Sequence, residues 1–364
     1  MTRRIRVAVI FGGRSSEHSI SCISAGSILR ALDRTRYEVV PIGITRTGHW
    51  VLEADNPARL AVIAGTFPSV NETRSPLVFT ADPTRPDLVI ESTVPKLLQQ
   101  VDVAFPVLHG PWGEDGTIQG LLELAGVPYV GSGVFSSAAS MDKAHMKSML
   151  VTAGLPVGVY EVITDRQWRS DKHEALRRIE ALGLPVFVKP ARAGSSVGIS
   201  KVKYREQLEP AIELARSHDP KVVIEASIEG NRELECGVLG SATGPRASEV
   251  AEIIVRRGHD FYDYDAKYVD DSVDLVVPAK LPGDLTAQAR ELACAAFDAL
   301  DCEGLARVDM FLAGGQLVVN ELNTMPGFTT ISMFPRMWQE SGMDYPTLVD
   351  TLIQDALRRG TGLR

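Results

Sequence analysis

Residues 307–312 read RVDMFL and residues 318–323 read VVNELN, with AGGQ between them at 313–316. Both stretches have the apolar character of strands, and the glycines between them predict a hairpin. Arginine, two carboxylates and a carboxamide interrupt the apolar residues, and burying such groups is unfavourable unless something pairs them. A divalent metal that also holds phosphate would pair them. The alternative is a solvated hairpin with ordinary surface charges.

The length of the hairpin loop decides whether these polar side chains can meet. A three-residue loop at 314–316 places Asp309 opposite Glu321 and Arg307 opposite Asn323, all on one face of the sheet. A two-residue loop would place Asp309 and Glu321 on opposite faces. The metal-site hypothesis therefore predicts the three-residue loop.

Length and composition bound the class of protein. The chain has 364 residues, 45% hydrophobic and 23% charged, which is ordinary for a globular protein of two or three domains. A formal net charge of −8 argues against a nucleic-acid or polybasic membrane partner. Cys22, Cys236, Cys294 and Cys302 lack metal-site spacing and are expected to be reduced thiols of a cytosolic protein. The sequence contains neither a signal-peptide core nor an apolar run of about 18 residues that could span a membrane.

The order of predicted elements indicates the fold class. The first ~135 residues alternate strands and helices, which predicts a doubly wound parallel sheet. Its strands are expected at 7–11, 37–44 and 101–108, its helices at 19–32 and 117–125, and an insertion with short strands at 50–100. The remaining elements are expected as helices at 138–153, 285–300 and 345–357, strands at 221–225, 233–239 and 250–255, and two strands that flank a glycine-rich segment within 185–200.

A glycine-rich segment, KPARAGSSVG at 189–198, follows a buried strand. Glycine and serine let backbone N–H groups cradle phosphate, and Lys189 at the strand end could reach it. The lysine precedes the glycines, so the segment is not a P-loop, and a plain turn is the alternative. Lys143, at the start of a helix, is a second candidate phosphate ligand or a solvated helix lysine. Glu225 and Glu233 could receive the adenine amino group and the ribose hydroxyls.

Three other segments could contact substrates. Glu17 follows the first strand and could take a substrate ammonium, or it could be a helix N-terminal acid stabilised by the dipole. His109 begins HGPWGEDG, which predicts a pocket wall or a structural turn. The stretch FYDYDAKY at 261–268 could be a lid that carries Lys267 and Tyr268, or a solvated loop. Gly327 could offer its N–H to an oxyanion, with Arg307 adding charge.

Taken together, these segments resemble the ATP-grasp superfamily and, within it, the D-alanine–D-alanine ligases. The resemblance spans residues 4 to about 335. It is carried by VIFGGRSSE (9–17), HGPWGEDG (109–116), GSG (131–133), MDK (141–143), KPARAGSSVG (189–198), YDAKY (264–268), RVD (307–309) and NELNTMPG (320–327).

The resemblance implies a three-domain ATP-grasp fold, with an N-terminal doubly wound domain at 1–135 and two α+β domains at 136–225 and 226–364 that clamp ATP. It implies ATP-dependent ligation of two D-alanines through a D-alanyl phosphate, for peptidoglycan precursor synthesis. The partners it implies are ATP, D-alanine and a pair of Mg²⁺ ions, or Mn²⁺ in their place. A cytoplasmic homodimer is expected, without nucleic-acid or membrane partners.

The resemblance also assigns roles to individual residues. Catalytic roles fall to Glu17, Ser195, Tyr268, Arg307 and Gly327. Contacts with D-alanine fall to His109, Lys267, Ser332 and Met333. Contacts with ATP fall to Lys143, Lys189, Ser196, Glu225, Ile228 and Glu233. Metal ligation falls to Asp309, Glu321 and Asn323.

Two alternatives remain. Relatives that make the D-alanine–D-lactate ester differ in the lid, where Lys267 and Tyr268 here match the dipeptide ligases, but a ligase that uses D-lactate or D-serine is still a candidate. The other alternative is a nucleotide-binding module without turnover. One departure from the family pattern is Ala226 after Glu225, where many relatives carry lysine, and this bears on nucleotide affinity.

Overall fold

The computed structural model describes residues 3–63, 65–73, 77–79, 88–90, 96–97, 101–194, 196–255 and 273–362. Its strands are β1 (Ile5–Gly12), β2 (Tyr37–Ile44), β3 (Trp50–Leu52), β4 (Leu77–Phe79), β5 (Leu88–Ile90), β6 (Lys96–Leu97), β7 (Val103–Pro106), β8 (Tyr160–Ile163), β9 (Val186–Pro190), β10 (Ser200–Val202), β11 (Val222–Ala226), β12 (Arg232–Leu239), β13 (Arg246–Val255), β14 (Val273–Val276), β15 (Leu305–Ala313) and β16 (Gln316–Asn323). Its α-helices are α1 (His18–Ala31), α2 (Thr117–Leu124), α3 (Val134–Met141), α4 (Lys143–Thr152), α5 (Asp165–Ser170), α6 (Lys172–Glu180), α7 (Leu208–His218), α8 (Gly283–Ala299), α9 (Met333–Glu340) and α10 (Tyr345–Arg359).

The N-terminal sheet has the strand order β3-β2-β1-β7. Strand β1 pairs in parallel with β2 and β7, as predicted, and β3 adds an antiparallel edge. Parallel neighbours end at the same edge of a sheet, so the loops after β1 and β7 lie side by side. Those loops carry Glu17 and His109. In the insertion, the described strands β4, β5 and β6 form a separate small antiparallel sheet.

The middle sheet has the order β10-β9-β11-β8 and is antiparallel throughout. It has its own core, in which Val186, Val188 and Ile224 pack against Ile212 of α7. Lys189 pairs in register with Val223 and Glu225 with Phe187. Because side chains alternate along a strand, Lys189 and Glu225 emerge on the same face.

The third sheet has the order β14-β13-β12-β15-β16, so β16 is an edge strand. Its hairpin β15–β16 contradicts the predicted three-residue loop. The loop is Gly314-Gly315, with φ of +56° and +81°, as a two-residue hairpin turn requires. The predicted pairs are nevertheless confirmed, because Asp309 faces Glu321 and Arg307 faces Asn323.

A β-bulge explains how the shorter loop keeps these pairs. Asp309 pairs with Glu321, but the next residue, Met310, pairs with Val319, which leaves Asn320 as an extra residue in β16. One extra residue shifts the alternation by one position and returns the charged side chains to a common face. The bulge thus brings Asp309 and Glu321 to the same face of the sheet, which the longer loop was expected to do.

The helix predicted at 138–153 is interrupted. Asp142 has an extended backbone (φ −91°, ψ 98°) that ends α3, and its carboxylate accepts hydrogen bonds from the N–H groups of Ala144 and His145 at the start of α4. Asp142 is a good N-cap residue, so it favours a new helix start over continuation. Lys143 therefore occupies the first position of α4.

The largest core joins the first and last parts of the chain. Val7 and Phe11 of β1 share a cluster with Phe328, Trp338 of α9 and Leu352 of α10. The middle sheet packs around its separate core. All four cysteines are free thiols. No helix within the described ranges is long and apolar enough to cross a membrane.

Candidate active site

A cavity of about 880 Å³ lies between the three main sheets. Every predicted site residue that the structure describes lines it: Glu17, His109, Lys143, Lys189, Ser196, Glu225, Ile228, Glu233, Arg307, Asp309, Glu321, Asn323, Gly327, Ser332 and Met333. Three others, Ser195, Lys267 and Tyr268, fall outside the described residues, as does the predicted lid at 261–268. Residues more than 300 positions apart in sequence thus converge on one space.

The corner around Glu17 is built from two adjoining loops. The Ser15 hydroxyl donates to the His109 carbonyl at 2.7 Å and accepts from the Glu17 N–H at 3.2 Å. A Cβ atom on Gly110 would lie 2.7 Å from Glu17 Oε2, and one on Gly194 would lie 3.0 Å from that oxygen. Glycine at both positions therefore allows the backbone to pack against the carboxylate. Gly194 belongs to the glycine-rich segment, so this contact joins two predicted motifs.

His109 and Glu114 form a buried pair beside Glu17. The Nδ1 of His109 lies 3.1 Å from the Met325 carbonyl oxygen and 3.8 Å from Glu114 Oε1. Burial lowers the pKa of His109, but hydrogen bonding and attraction to Glu114, with a smaller contribution from Glu17, raise it above its usual value. Burial raises the pKa of Glu114, and repulsion from Glu17 adds to this. Negative charge is concentrated in this corner.

The two predicted phosphate lysines reach the cavity from different elements. Lys143 Nζ donates to the Ala193 carbonyl at 2.9 Å and lies 3.7 Å from Glu321 Oε2. Lys189 Nζ donates to Glu225 Oε2 at 2.7 Å. Burial lowers the pKa of Lys189, but Glu225 and Glu321 hold it above its usual value. The Lys189 ammonium group therefore remains charged, as anion binding requires, and Lys143 contacts the glycine-rich segment through Ala193.

Glu225 is buried between two lysines. Its Oε2 accepts from Lys189, and its Oε1 lies 3.2 Å from Lys147 Nζ. Burial would raise the pKa of the Glu225 carboxyl, but Lys147 and Lys189 together lower it to about 2. Glu225 is thus an ionised carboxylate whose neighbours are cations of the protein.

The polar face of the hairpin is held by ion pairs. Arg307 donates from Nε and Nη2 to the two carboxylate oxygens of Asp309, both at 2.6 Å, and its Nε lies 3.4 Å from Glu235 Oε1. Asn323 Nδ2 donates to Asp309 Oδ2 at 3.1 Å. Burial lowers the pKa of Arg307, but Asp309 and Glu235 raise it well above its usual value. A bidentate arginine–carboxylate pair fixes both side chains.

The same face fits a magnesium ion. Within the described ranges, no group of three or more His, Cys, Asp or Glu side chains is arranged to hold a metal by itself. Mg²⁺ usually takes one or two carboxylates and completes its shell with water and substrate phosphate. Asp309, Glu321 and Asn323 supply two carboxylates and an amide oxygen on paired strands, which matches that donor set.

The last predicted segment, at 327–333, also lines the cavity. The Ser332 hydroxyl oxygen accepts from the Thr329 N–H at 3.1 Å, and a Cβ atom on Gly327 would lie 3.2 Å from it. Met333 is the first residue of α9, and its side chain packs with Ile253 in a small core. The backbone N–H groups at a helix start suit a carboxylate, whereas the Met333 side chain is structural.

Sequence reasoning missed two residues that the structure places at the centre of the site. Lys147 lies four positions after Lys143, which puts both lysines on one face of α4. Glu235 lies two positions after Glu233 on β12, which puts both acids on one face of the strand. The spacing of each pair was visible in the sequence, but Lys147 and Glu235 were missed because neither belongs to a glycine-rich or loop motif.

Three sheets around a cavity lined by lysines and acids are the architecture expected of an enzyme of the ATP-grasp class. Family models described as D-ala D-ala ligase N-terminus and C-terminus match residues 6–132 and 149–354. The chain belongs to the D-alanine–D-alanine ligase family, which confirms the resemblance and the fold class predicted from the sequence.

Individual relatives agree with this assignment. A D-alanine–D-alanine ligase from Streptomyces griseus is 56% identical over 373 residues, which covers 100% of this chain and 95% of that protein. The structure of the D-alanine–D-alanine ligase from Coxiella burnetii matches with a TM-score of 0.81 at 34% identity, covering 98% of this chain and 95% of that one. A D-Ala:D-Ser ligase from Enterococcus faecalis matches with a TM-score of 0.86 at 36% identity, covering 97% and 100%.

Proposed function

We propose that this chain uses ATP to join two D-alanine molecules into D-alanyl-D-alanine for peptidoglycan precursor synthesis. Membership of the ligase family over the whole chain supports this. The observation that carries it is the cavity, which combines an acidic corner for an ammonium with cations and metal-type ligands for a nucleotide. One site could therefore hold both an amino acid and ATP.

The proposed reaction has two steps. The carboxylate of the first D-alanine would take the γ-phosphoryl group of ATP, which gives a D-alanyl phosphate and ADP. The amine of the second D-alanine would then attack that acyl group, form the amide bond and release phosphate. Phosphorylation turns a carboxylate into a good acyl donor, and exclusion of water protects it from hydrolysis.

The residues of this chain would divide the work. Glu17, with help from His109, would bind the first ammonium, while Lys143, Lys189 and Ser196 would bind phosphates. Glu225, Ile228 and Glu233 would contact adenosine. Arg307 and the Gly327 N–H would stabilise the oxyanion of the tetrahedral intermediate. Lys267, Ser332 and Met333 would position the second carboxylate, and Ser195 and Tyr268 would hydrogen-bond with Glu17.

Asp309, Glu321 and Asn323 would hold Mg²⁺, two ions in the family pattern, or Mn²⁺. When bound, the metal would neutralise charge on the phosphates during transfer. Arg307 is paired with Asp309 in the structure, so Asp309 would have to exchange this partner for the metal when the nucleotide enters.

The domain division at 1–135, 136–225 and 226–364, the cytoplasmic location and the homodimer are part of this proposal.

Phosphate release tests the function. The purified protein should release phosphate from ATP with D-alanine and not with L-alanine, and an enzyme that no D-amino acid stimulates would contradict the proposal. Mass spectrometry of the product should find D-alanyl-D-alanine when D-alanine, D-serine and D-lactate compete. The D-Ala:D-Ser ligase among the structural matches makes D-serine the most informative competitor. If the protein were a non-catalytic module, Asp309→Ala and Arg307→Ala would leave its cellular function intact.

A further inference from the structure

Lys147 is a buried cation to which no role has yet been given. It lies in the second turn of α4, and its side chain is only 2% exposed, although it reaches the wall of the cavity. Burial lowers its pKa, and Glu225 counteracts this. An ammonium group in such a place is strongly unfavourable without partners, so its contacts indicate what it is for.

The Lys147 ammonium joins two parts of the site. Its Nζ lies 3.2 Å from Glu225 Oε1, on the middle sheet, and it donates to the Asn320 carbonyl at 3.2 Å, on the third sheet. Glu225 is the acid proposed to contact adenosine. Asn320 precedes Glu321, the proposed metal ligand. A single side chain therefore contacts both the acid proposed to bind adenosine and the strand that carries a proposed metal ligand.

The contact with Asn320 falls on the extra residue of the β-bulge. This residue returns Glu321 to the face of Asp309, so the geometry of the metal site depends on it. Strand β16 is an edge strand, whose outer backbone groups need partners from elsewhere. Helix α4 supplies two of them, because Lys147 donates to the Asn320 carbonyl and Met146 Sδ accepts from the Leu322 N–H at 3.3 Å. The Val319 N–H donates to the Pro156 carbonyl at 2.9 Å.

We propose that Lys147 is a positioning residue that couples nucleotide binding to metal binding by holding the Glu225 carboxylate and the bulge carbonyl with one ammonium group. The inference rests on the proposed roles of Glu225 and Glu321. It separates Lys147 from Lys143, one turn earlier, which points to the glycine-rich segment and to the Glu321 side chain. Loss of Lys147 would leave the bulge carbonyl without its donor and Glu225 without one of its two cations.

The test is steady-state kinetics of the full-length enzyme carrying Lys147→Met, in which the apolar side chain fills most of the space. Both the KM for ATP and the Mg²⁺ concentration for half-maximal rate should rise about tenfold, the effect of losing a charge-assisted hydrogen bond. Lys147→Arg, which keeps a charged donor, should recover part of both losses. Ser148→Met, which puts the same residue on the exposed side of α4, should match the wild type.

A purely structural role predicts something different, namely a lower melting temperature with both constants unchanged in the folded enzyme, and this result would overturn the proposal. If Lys147→Met does not fold, Glu225→Gln replaces it. Coupling then predicts that this change at the acid proposed to contact adenosine also raises the Mg²⁺ requirement, and a change in the ATP constant alone would contradict coupling. Glu321→Gln tests the proposed metal site separately from the proposed role of Lys147. If this variant leaves the Mg²⁺ dependence unchanged, the proposed metal site is wrong, whatever the result for Lys147.

Discussion

The end of the cavity around Glu225 and Asp309, proposed to bind the nucleotide and called the nucleotide end, and the corner around Glu17 both bury carboxylates, but the charges around them differ. At the nucleotide end, Glu225 lies between Lys147 and Lys189, and Asp309 is paired with Arg307. In the corner, Glu114 and Glu17 both act on His109, and burial raises the pKa of Glu114. Cations thus lower a carboxyl pKa at one end, while burial and a second acid raise one at the other.

The difference indicates what each end is prepared to bind. Protein cations and carboxylates already pair at the nucleotide end, so a metal–phosphate complex can enter by exchange of partners without leaving a buried charge. The corner concentrates negative charge around a histidine, and a substrate ammonium would relieve it. Changes at the two ends should therefore affect different substrates, and the following experiments test that separation.

Removal of Arg307 should have the largest effect. In Arg307→Met, the bidentate partner of Asp309 and the cation beside Glu235 are both lost, as is the charge proposed to stabilise the oxyanion. We expect kcat to fall roughly 10³-fold at saturating ATP and D-alanine, the scale of a lost oxyanion donor. Arg177→Met, which removes an exposed arginine paired with Glu174, is the control. A loss of kcat that matches this control would remove Arg307 from the chemistry.

The hairpin that holds Arg307 also shows how far the sequence could predict this site. The need to bring Asp309 and Glu321 together predicted the correct pairs, because alternation along a strand allows only two outcomes. The sequence could not show whether a longer loop or a β-bulge brings the two acids together, because each shifts the alternation of side chains by one position. The Gly314-Gly315 pair was the available signal for a two-residue turn.

In the rest of the fold, too, some features were predictable from the sequence and others were not. The alternation of strands and helices predicted the parallel sheet, and the candidate site residues that the structure describes all line the cavity. The break at Asp142 was missed because the apolar pattern continues through it, although aspartate is a common N-cap. Lys147 and Glu235 were missed because their partners are distant in sequence: Lys147 contacts Glu225 and Asn320, and Glu235 contacts Arg307 on the neighbouring strand. Such contacts arise only in the folded protein.

Glu17→Gln should separate the two ends of the cavity. We expect the KM for the first D-alanine to rise roughly 10²-fold, the scale of losing one buried charge pair, because the variant lacks the carboxylate proposed to bind the ammonium. The KM for ATP should stay close to the wild-type value. Glu38→Gln, which alters a partly exposed acid on the same sheet, is the matched control. Equal increases in the KM for D-alanine and the KM for ATP would mean that the nucleotide end and the corner around Glu17 do not bind their substrates independently.

Glu114→Gln should change how stability depends on pH. The pKa of His109 in the folded protein is raised above 6.5, so the stabilisation it provides is complete below pH 6.5 and is lost as pH rises through the folded pKa. The raised pKa of Glu114 acts in the same direction. As pH rises above 6.5, the free energy of unfolding should decline more steeply in the wild type than in the variant. Denaturant titration measures this, and parallel pH profiles would show that the pair is not charged.

His18 should show a smaller effect of opposite sign. Its Nδ1 donates to the Gly13 carbonyl at 2.7 Å and its Nε2 accepts from the Val70 N–H at 3.2 Å, which requires the neutral ring. Burial lowers its pKa below 6.5, so the stabilisation is complete above pH 6.5 and is lost as pH falls through the folded pKa.

Between about pH 7 and pH 5, the wild type should lose up to about 1 kcal/mol more than His18→Gln, which retains polar contacts but does not titrate. Denaturant titration at both pH values measures the difference. His18 and His109 are both buried, His18 at the start of α1 and His109 in the loop after β7, so burial alone would shift the two pKa values in the same direction. Opposite slopes would therefore attribute the behaviour of His109 to the acids around it, whereas a shared slope would contradict the idea that this corner is distinguished by its negative charge.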